Sequence, residues 1–109
     1  MTSIKRSALV MHSAQAMYDL VNDVSCYPSF MDGCQGVEIF EQSSSTMLAR
    51  LDLKKAGVGL SLMTRNHLKA PSQINMTLED GPFKHFRGDW TFTRLPDAAC
   101  KGGLDMEFD

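Results

Sequence analysis

DGPFKHFRGDW, residues 80 to 90, sets Asp80, Gly81 and Pro82 beside Phe83, Phe86 and Trp90, with Lys84, His85 and Arg87 between them. Such a run could be a catalytic loop, a nucleic-acid contact, or a turn that feeds a strand. The faces taken by its side chains decide among these. Asp80-Gly81 is a hairpin signal, because glycine accepts the positive φ that a tight turn demands. Pro82 fixes φ where no ladder donor is needed, a common way to begin a strand. Beyond it a period of two sets in: Phe86, Gly88, Trp90 and Phe92 fall on one face, His85, Arg87, Asp89 and Thr91 on the other. Gly88 has no side chain to pack, so it is expected to mark a bend or bulge and to leave hollow space beside the rings. The stretch reads as a turn and a curved wall of a sheet.

The same period runs through the rest of the chain. In TMLARLDLK (46–54), Met47, Ala49, Leu51 and Leu53 alternate with polar or outward positions. In VGLSLMTRNHLK (58–69), Val58, Leu60, Leu62 and Leu68 share one face, while Met63, Arg65, His67 and Lys69 share the other. INMTLE (74–79) and LDMEF (104–108) repeat the pattern. Half-buried antiparallel strands alternate in this way, whereas buried parallel strands are apolar on both faces. Turns are expected at KKAGVG, APSQ, DGP and LPDA, where Gly and Pro cluster. Towards the N-terminus, SIKRSALVM (3–11) reads as a strand. SAQAMYDLVNDV (13–24) reads as a helix with Ser13 as N-cap and with Met17, Leu20, Val21 and Val24 at helical spacing. Pro28 ends any unbroken helix, so a second short one is expected around PSFMD (28–32), stopping near Gly33. The fold class is α+β: a strand, two short helices, then about six strands in an antiparallel sheet whose one apolar face has to be covered.

Composition narrows the function classes. At 109 residues the chain is one domain, and 43% hydrophobic content supports a folded core. A net charge of -2 gives no general reason to bind nucleic acid or anionic membranes, so DNA is not an expected partner and membrane contact is at most peripheral. Cys26, Cys34 and Cys100 are odd in number and never form a C-x-x-C pair, which argues against a disulfide framework and against a zinc site. Reduced thiols and a cytoplasmic location follow as expectations. Lys5-Arg6 followed by Ala8-Leu9-Val10-Met11 has a mild likeness to a signal peptide, but His12 interrupts an apolar run of only four residues.

Two surfaces are candidates for function. The inward one comprises Leu51, Leu53, Val58, Leu60, Leu62, Met76, Phe86 and Trp90, with Tyr27 and Phe30 from the helical segment. Thr64 and Asn66 are the polar residues on that face, suited to orienting a ligand head group. An ordinary packed core would give the same apolar pattern. The outward candidate is a basic stripe of Arg50, Lys54, Arg65, His67, Lys69, His85 and Arg87, which could meet ribosomal RNA through phosphates. Asp52, Glu79 and Asp89 lie among them, as on any solvated sheet face. KKAGVG is not a phosphate loop, since it lacks G-K-[ST] and no helix follows; it reads as a hairpin loop at a cavity mouth or as a plain turn. No catalytic constellation is visible: His12, His67 and His85 fall on a strand end or the outer face, away from any nucleophile.

LEDGPFKHFRGDWTF (78–92) resembles the L-x-x-G-P-F-x-x-L-x-G-x-W-x-F signature of the RatA and coenzyme-Q-binding family, within the START-like polyketide cyclase and lipid-transport superfamily. Phe86 stands where that signature has Leu. The likeness continues through ALVMHSAQAMYDLVNDVSCYPSFMDGC (8–34) and LDLKKAGVGLSLMTRNHL (51–68), and is nearest to the bacterial ribosome association toxins. It implies a helix-grip fold, a curved antiparallel sheet around a long C-terminal helix with a lipid-sized cavity between them. On that pattern the chain stops after the last strand and lacks the long helix. Trp90, Leu62, Leu104, Met106 and Phe108 are then expected to be uncovered, which favours self-association or low stability. The implied function is non-enzymatic carriage of a hydrophobic molecule, ubiquinone first, with no cofactor or metal. A translation-inhibiting toxin that binds ribosomes and hinders subunit joining is the alternative.

Overall fold

The computed structural model describes residues 2–30 and 32–109, and of Phe30 and Lys55 the backbone alone. Its elements are β1 (Thr2–Val10), α1 (Ala14–Asn22), a 3-10 turn (Val24–Cys26), α2 (Tyr27–Phe30), β2 (Cys34–Gln42), β3 (Thr46–Lys55), β4 (Val58–Lys69), β5 (Gln73–Asp80), β6 (Phe86–Leu95) and β7 (Ala99–Phe108). The strands form one seven-stranded sheet in the order β1-β7-β6-β5-β4-β3-β2. Every neighbouring pair is antiparallel, so β2 to β7 is a meander and β1 returns to the far edge beside β7. The antiparallel sheet is what the period of two implies; the place of β1 beside β7 is not legible from it. Among the described residues no helix is long and apolar enough to cross a membrane.

Local chemistry sets the helical ends. Ser13 Oγ accepts from the Ala16 amide at 3.1 Å, capping α1 as its sequence suggests. The buried stripe of α1 is Ala14, Met17, Tyr18 and Val21, an i, i+3, i+4, i+7 set. Leu20, expected on that stripe, is 53% exposed; Tyr18 takes its place at 4%. Gly33 follows α2 at φ +86, and a Cβ there would sit 3.0 Å from the Lys54 carbonyl oxygen. The close approach is fixed by a 2.7 Å bond from the Lys54 amide to the Gly33 carbonyl. Only glycine meets both demands.

KKAGVG forms a tight turn. Ala56 and Gly57 both have positive φ, 53 and 81, between the paired residues Lys55 and Val58. That is the two-residue turn whose twist matches the flanking strands.

The 80–90 stretch is a turn and a strand, with two differences in detail. Gly81 does not take positive φ; residues 81–85 form a five-residue connection instead of a tight hairpin. The site is crowded, since a Cβ would lie 3.2 Å from both Leu62 Cδ1 and Leu78 Cδ1. Gly88 is not a bulge: it stays in register with Met76 on one side and Met106 on the other. The space above it is not hollow either, because Met76 Cε lies 2.6 Å from where a Gly88 Cβ would be. Irregular pairing falls elsewhere, between Met63 and Thr64 where β4 meets β5 and at two points where β2 meets β3.

All helical elements lie on one face of the sheet and cover half of it. α1 rests on β5, β6 and β7, while α2 rests on β2. Beneath them Met47, Ala49, Leu68, Ile74, Phe92 and Cys100 are buried with Tyr18 and Val24. The other half of the same face carries Leu51, Leu53, Leu60, Leu78, Leu104, Met106 and Phe108, all only partly buried. Phe83 packs there against Phe86 and Phe108, with ring centroids 5.9 and 5.7 Å apart.

Candidate functional site

A small cavity of about 30 Å³ sits under the helices, where the covered half of the sheet meets the open half. Val21, Asn22, Val24 and Tyr27 line it from above; Ala49, Leu51, Thr64, Asn66, Ile74, Met76 and Trp90 line it from the sheet. Six of the residues expected from the sequence are thus brought together: Tyr27, Leu51, Thr64, Asn66, Met76 and Trp90. Leu53, Leu60, Leu62 and Phe86 lie further along the same face, Leu62 and Phe86 buried and the other two half-buried. Val58 does not join them. It is 68% exposed, because its position closes the β3–β4 turn beyond any cover. The side chain of Phe30 lies outside the described residues. Val21, Val24, Ala49 and Ile74 were legible as core positions from their periodicity, but nothing in the sequence marks them as cavity wall.

Thr64 and Asn66 are the buried polar side chains among the described residues, 6% and 5% exposed. Two residues apart on β4, they point to the same side, and the Thr64 hydroxyl donates to Asn66 Oδ1 at 2.9 Å. Their neighbours across the ladders are apolar: Ala49 and Leu78 beside Thr64, Met47 and Met76 beside Asn66. The aromatic wall is a parallel pair, Trp90 and Phe92, with centroids 6.3 Å apart. Tyr27 donates its hydroxyl proton to the Val21 carbonyl. Burial, with the charges of Asp23 and Cys34 adding, pushes its pKa up to about 12. Burial also raises that of Tyr18. A folded pKa above the unfolded value means that the contribution of Tyr27 to stability is full below pH 10 and is lost as pH rises towards 12. Phenolate absorbance should therefore show no component at the free-tyrosine midpoint while the fold persists.

A wider depression of about 640 Å³ opens where α1 begins and the β4–β5 and β6–β7 turns approach it, lined by Ser13, Gln15, Pro71, Arg94 and Pro96 among others. It is larger, yet none of the candidate ligand-binding residues lines it and none of its lining residues is a buried polar one. The inner cavity is the candidate site.

On the outer face the basic stripe is largely neutralised. Arg50 contacts Asp52 at 3.1 Å and Glu38 at 3.8 Å, with the Phe40 ring 5.8 Å from its guanidinium carbon. Asp52 also accepts from Ser61 at 2.7 Å; that bond, with Arg50, holds its carboxyl below the ordinary value. Arg65 lies between Glu41 at 3.0 Å and Glu79 at 3.5 Å. Arg87 is bracketed by Asp89, by Glu107 at 3.2 Å and by Asp105 at 4.0 Å. Lys54, His67, Lys69 and His85 are exposed and have no ion pair among the described residues. Cys26 is exposed, and Cys34 and Cys100 are buried; all three are free thiols.

Comparison with known proteins agrees with this architecture. The family "Polyketide cyclase / dehydrase and lipid transport" matches residues 10–109. The ribosome association toxin RatA of Vibrio cholerae serotype O1 is 49% identical over 109 residues, covering 100% of this chain and 76% of that protein. Its Escherichia coli K12 counterpart is 45% identical over the same length, covering 69% of that protein. Among solved structures, the ZhuI aromatase/cyclase from a Streptomyces species superposes with a TM-score of 0.88 at 22% identity, over 99% of this chain and 67% of the other. At that identity the likeness is one of fold. The chain belongs to the polyketide cyclase/dehydrase and lipid-transport family, with its START-like fold, and within it to the family of the ribosome association toxins.

Proposed function

We propose that the chain is a non-enzymatic carrier of a hydrophobic small molecule, ubiquinone first, which supports respiration. The observation that carries this reading is the buried Thr64–Asn66 pair in a largely apolar cavity that runs on into the half-open apolar face of the sheet. A core gains nothing from polar side chains at such positions unless something uses them. The half-buried leucines beyond, Leu53 and Leu60, supply a floor for an isoprenoid tail, at ~25 cal/mol per Å² of apolar surface covered. At about 30 Å³ the cavity is small, and the flexible Met76 side chain is the element able to move aside. No His, Cys, Ser, Asp or Glu lines it, and its one titratable group, Tyr27, is engaged with Val21 and hard to ionise. That lining favours holding a molecule over transforming it.

Trp90 is the sole tryptophan and lies in the cavity wall, so its fluorescence reports on the site. Titration with a short-chain ubiquinone analogue should quench it saturably. Unchanged Trp90 emission at all concentrations would count against carriage. Gly88→Ala should weaken binding several-fold: the added Cβ would displace the end of Met76, which also lines the cavity. Stability should change little, since a flexible thioether can yield.

Ribosome binding is the second reading, favoured by the names of the relatives at 45–49% identity. Because Arg50, Arg65 and Arg87 are held among carboxylates, the lysines of the stripe, Lys54 and Lys69, are its cations without an ion pair among the described residues. Lys54→Glu with Lys69→Glu should then release the chain from ribosomes, most sharply at low salt. Self-association through Leu104, Met106 and Phe108 is a further part of the proposal; a folded, monodisperse monomer in sedimentation equilibrium would overturn it.

A further inference from the structure

Thr64 and Asn66 do more than add polarity to the cavity, because their hydrogen bond has a direction. The Thr64 hydroxyl is the donor and Asn66 Oδ1 the acceptor. That bond is the one hydrogen bond of the Asn66 side chain among the described residues, and it uses the carbonyl end of the amide. The NH₂ end remains, with two protons to give. Its ladder neighbours are Met47 and Met76, whose thioethers are weak acceptors. No carboxylate lines the cavity, and the Tyr27 hydroxyl is already turned to the Val21 carbonyl. Asn66 is 5% exposed and its amide nitrogen is not sealed off; apart from Asn22, the described lining offers that nitrogen only hydroxyls and thioethers.

We infer that Asn66 is the residue that recognises the head of the ligand, donating from its amide nitrogen to a carbonyl oxygen, and that Thr64 is a positioning residue which holds the amide in that orientation. This rests on the carrier reading and names its ligand class: a neutral, apolar molecule with a carbonyl at one end. A charged head is disfavoured, since among the described residues no ionic side chain lines the cavity to meet it.

Two probes with the same tail test this: decyl-para-benzoquinone, which has carbonyl oxygens, and decylbenzene, which has none. Binding of the first is read from quenching of Trp90, and binding of the second by competition with it. The native chain should prefer the quinone by about tenfold, the scale of one well-placed hydrogen bond. Asn66→Leu, close in size and apolar, should abolish that preference while leaving decylbenzene affinity unchanged or improved. Retained decylbenzene binding also certifies its fold. Thr64→Val keeps the shape and removes the hydroxyl; it should reduce the preference by a smaller factor, because the amide is then free to turn. If Asn66→Leu does not fold, the Thr64→Val result decides. Equal affinity of the native chain for both probes, or an undiminished preference in the variants, overturns the inference and leaves the carrier reading standing. If neither probe binds the native chain, both fall together.

Discussion

Phe92→Ala is expected to destabilise the domain by about 3–5 kcal/mol, the range for truncating a buried aromatic ring. Phe92 is 4% exposed and joins the two layers: its ring meets Tyr18 of α1 edge-on at 6.2 Å and lies parallel to Trp90 at 6.3 Å. Directly across the ladder stands Gly102, where even a Cβ would lie 4.0 Å from the ring, so no neighbouring side chain there can fill the gap. α1 has nine residues, too few to be helical alone, and is held by what its buried stripe touches. Domains of this size are stable by only about 5–15 kcal/mol, so the change removes a large share of the total. The urea midpoint should fall with an unchanged slope. A loss under about 1 kcal/mol would mean that the ring is not the link between helix and sheet.

The second large effect is on binding. Trp90→Ala combined with Leu62→Ala should reduce affinity for a hydrophobic ligand by at least roughly tenfold. An indole can bury ~150–250 Å², and a ligand covering a third of it gains about 1–2 kcal/mol at ~25 cal/mol per Å². Trp90 borders the cavity, whereas Leu62 lies beyond it on the open half, near Leu78 and Gly81. Of the two, Trp90 should account for most of the loss near the head group and Leu62 for the loss along the tail. Because Trp90 is then absent, binding is measured by calorimetry. Ribosome sedimentation of the same variant should be unaffected, while Lys54→Glu with Lys69→Glu should show the converse. Charge reversal at Arg87 is unsuitable for that comparison. It would place a fourth carboxylate among Asp89, Asp105 and Glu107 and disturb the sheet itself. If the two double variants behave alike, the division into a binding face and an outer face is wrong.

The faces of the strands were legible because alternation in a pleated strand survives without knowledge of its partners. Thr64 and Asn66 were placed inward on parity alone, and they are buried. What parity cannot supply is the identity of the neighbour across the ladder. Parity alone therefore suggests a bend at Gly88, where the structure packs Met76, and turn chemistry suggests positive φ at Gly81, which instead sits close to Leu62 and Leu78. The partners of the arginines are hidden in the same way: Arg65 meets Glu41, 24 residues away, and Arg87 meets Glu107, its register partner on β7, so the arginines of the stripe stand in ion pairs while its lysines and histidines do not. Val58 had the right parity and the wrong depth, since parity does not say where the helical cover ends. For α1, Leu20 and Tyr18 lie on opposite borders of one stripe, and packing against Phe92 selects Tyr18.

The most direct test of the central claim is to purify the chain, extract it with organic solvent, and identify what co-purifies by mass spectrometry. The account predicts an apolar, carbonyl-bearing molecule, a quinone first, in near-stoichiometric amount from the native chain and depleted from Trp90→Ala with Leu62→Ala. An extract empty of such molecules, from folded protein that nevertheless sediments with ribosomes, would contradict it.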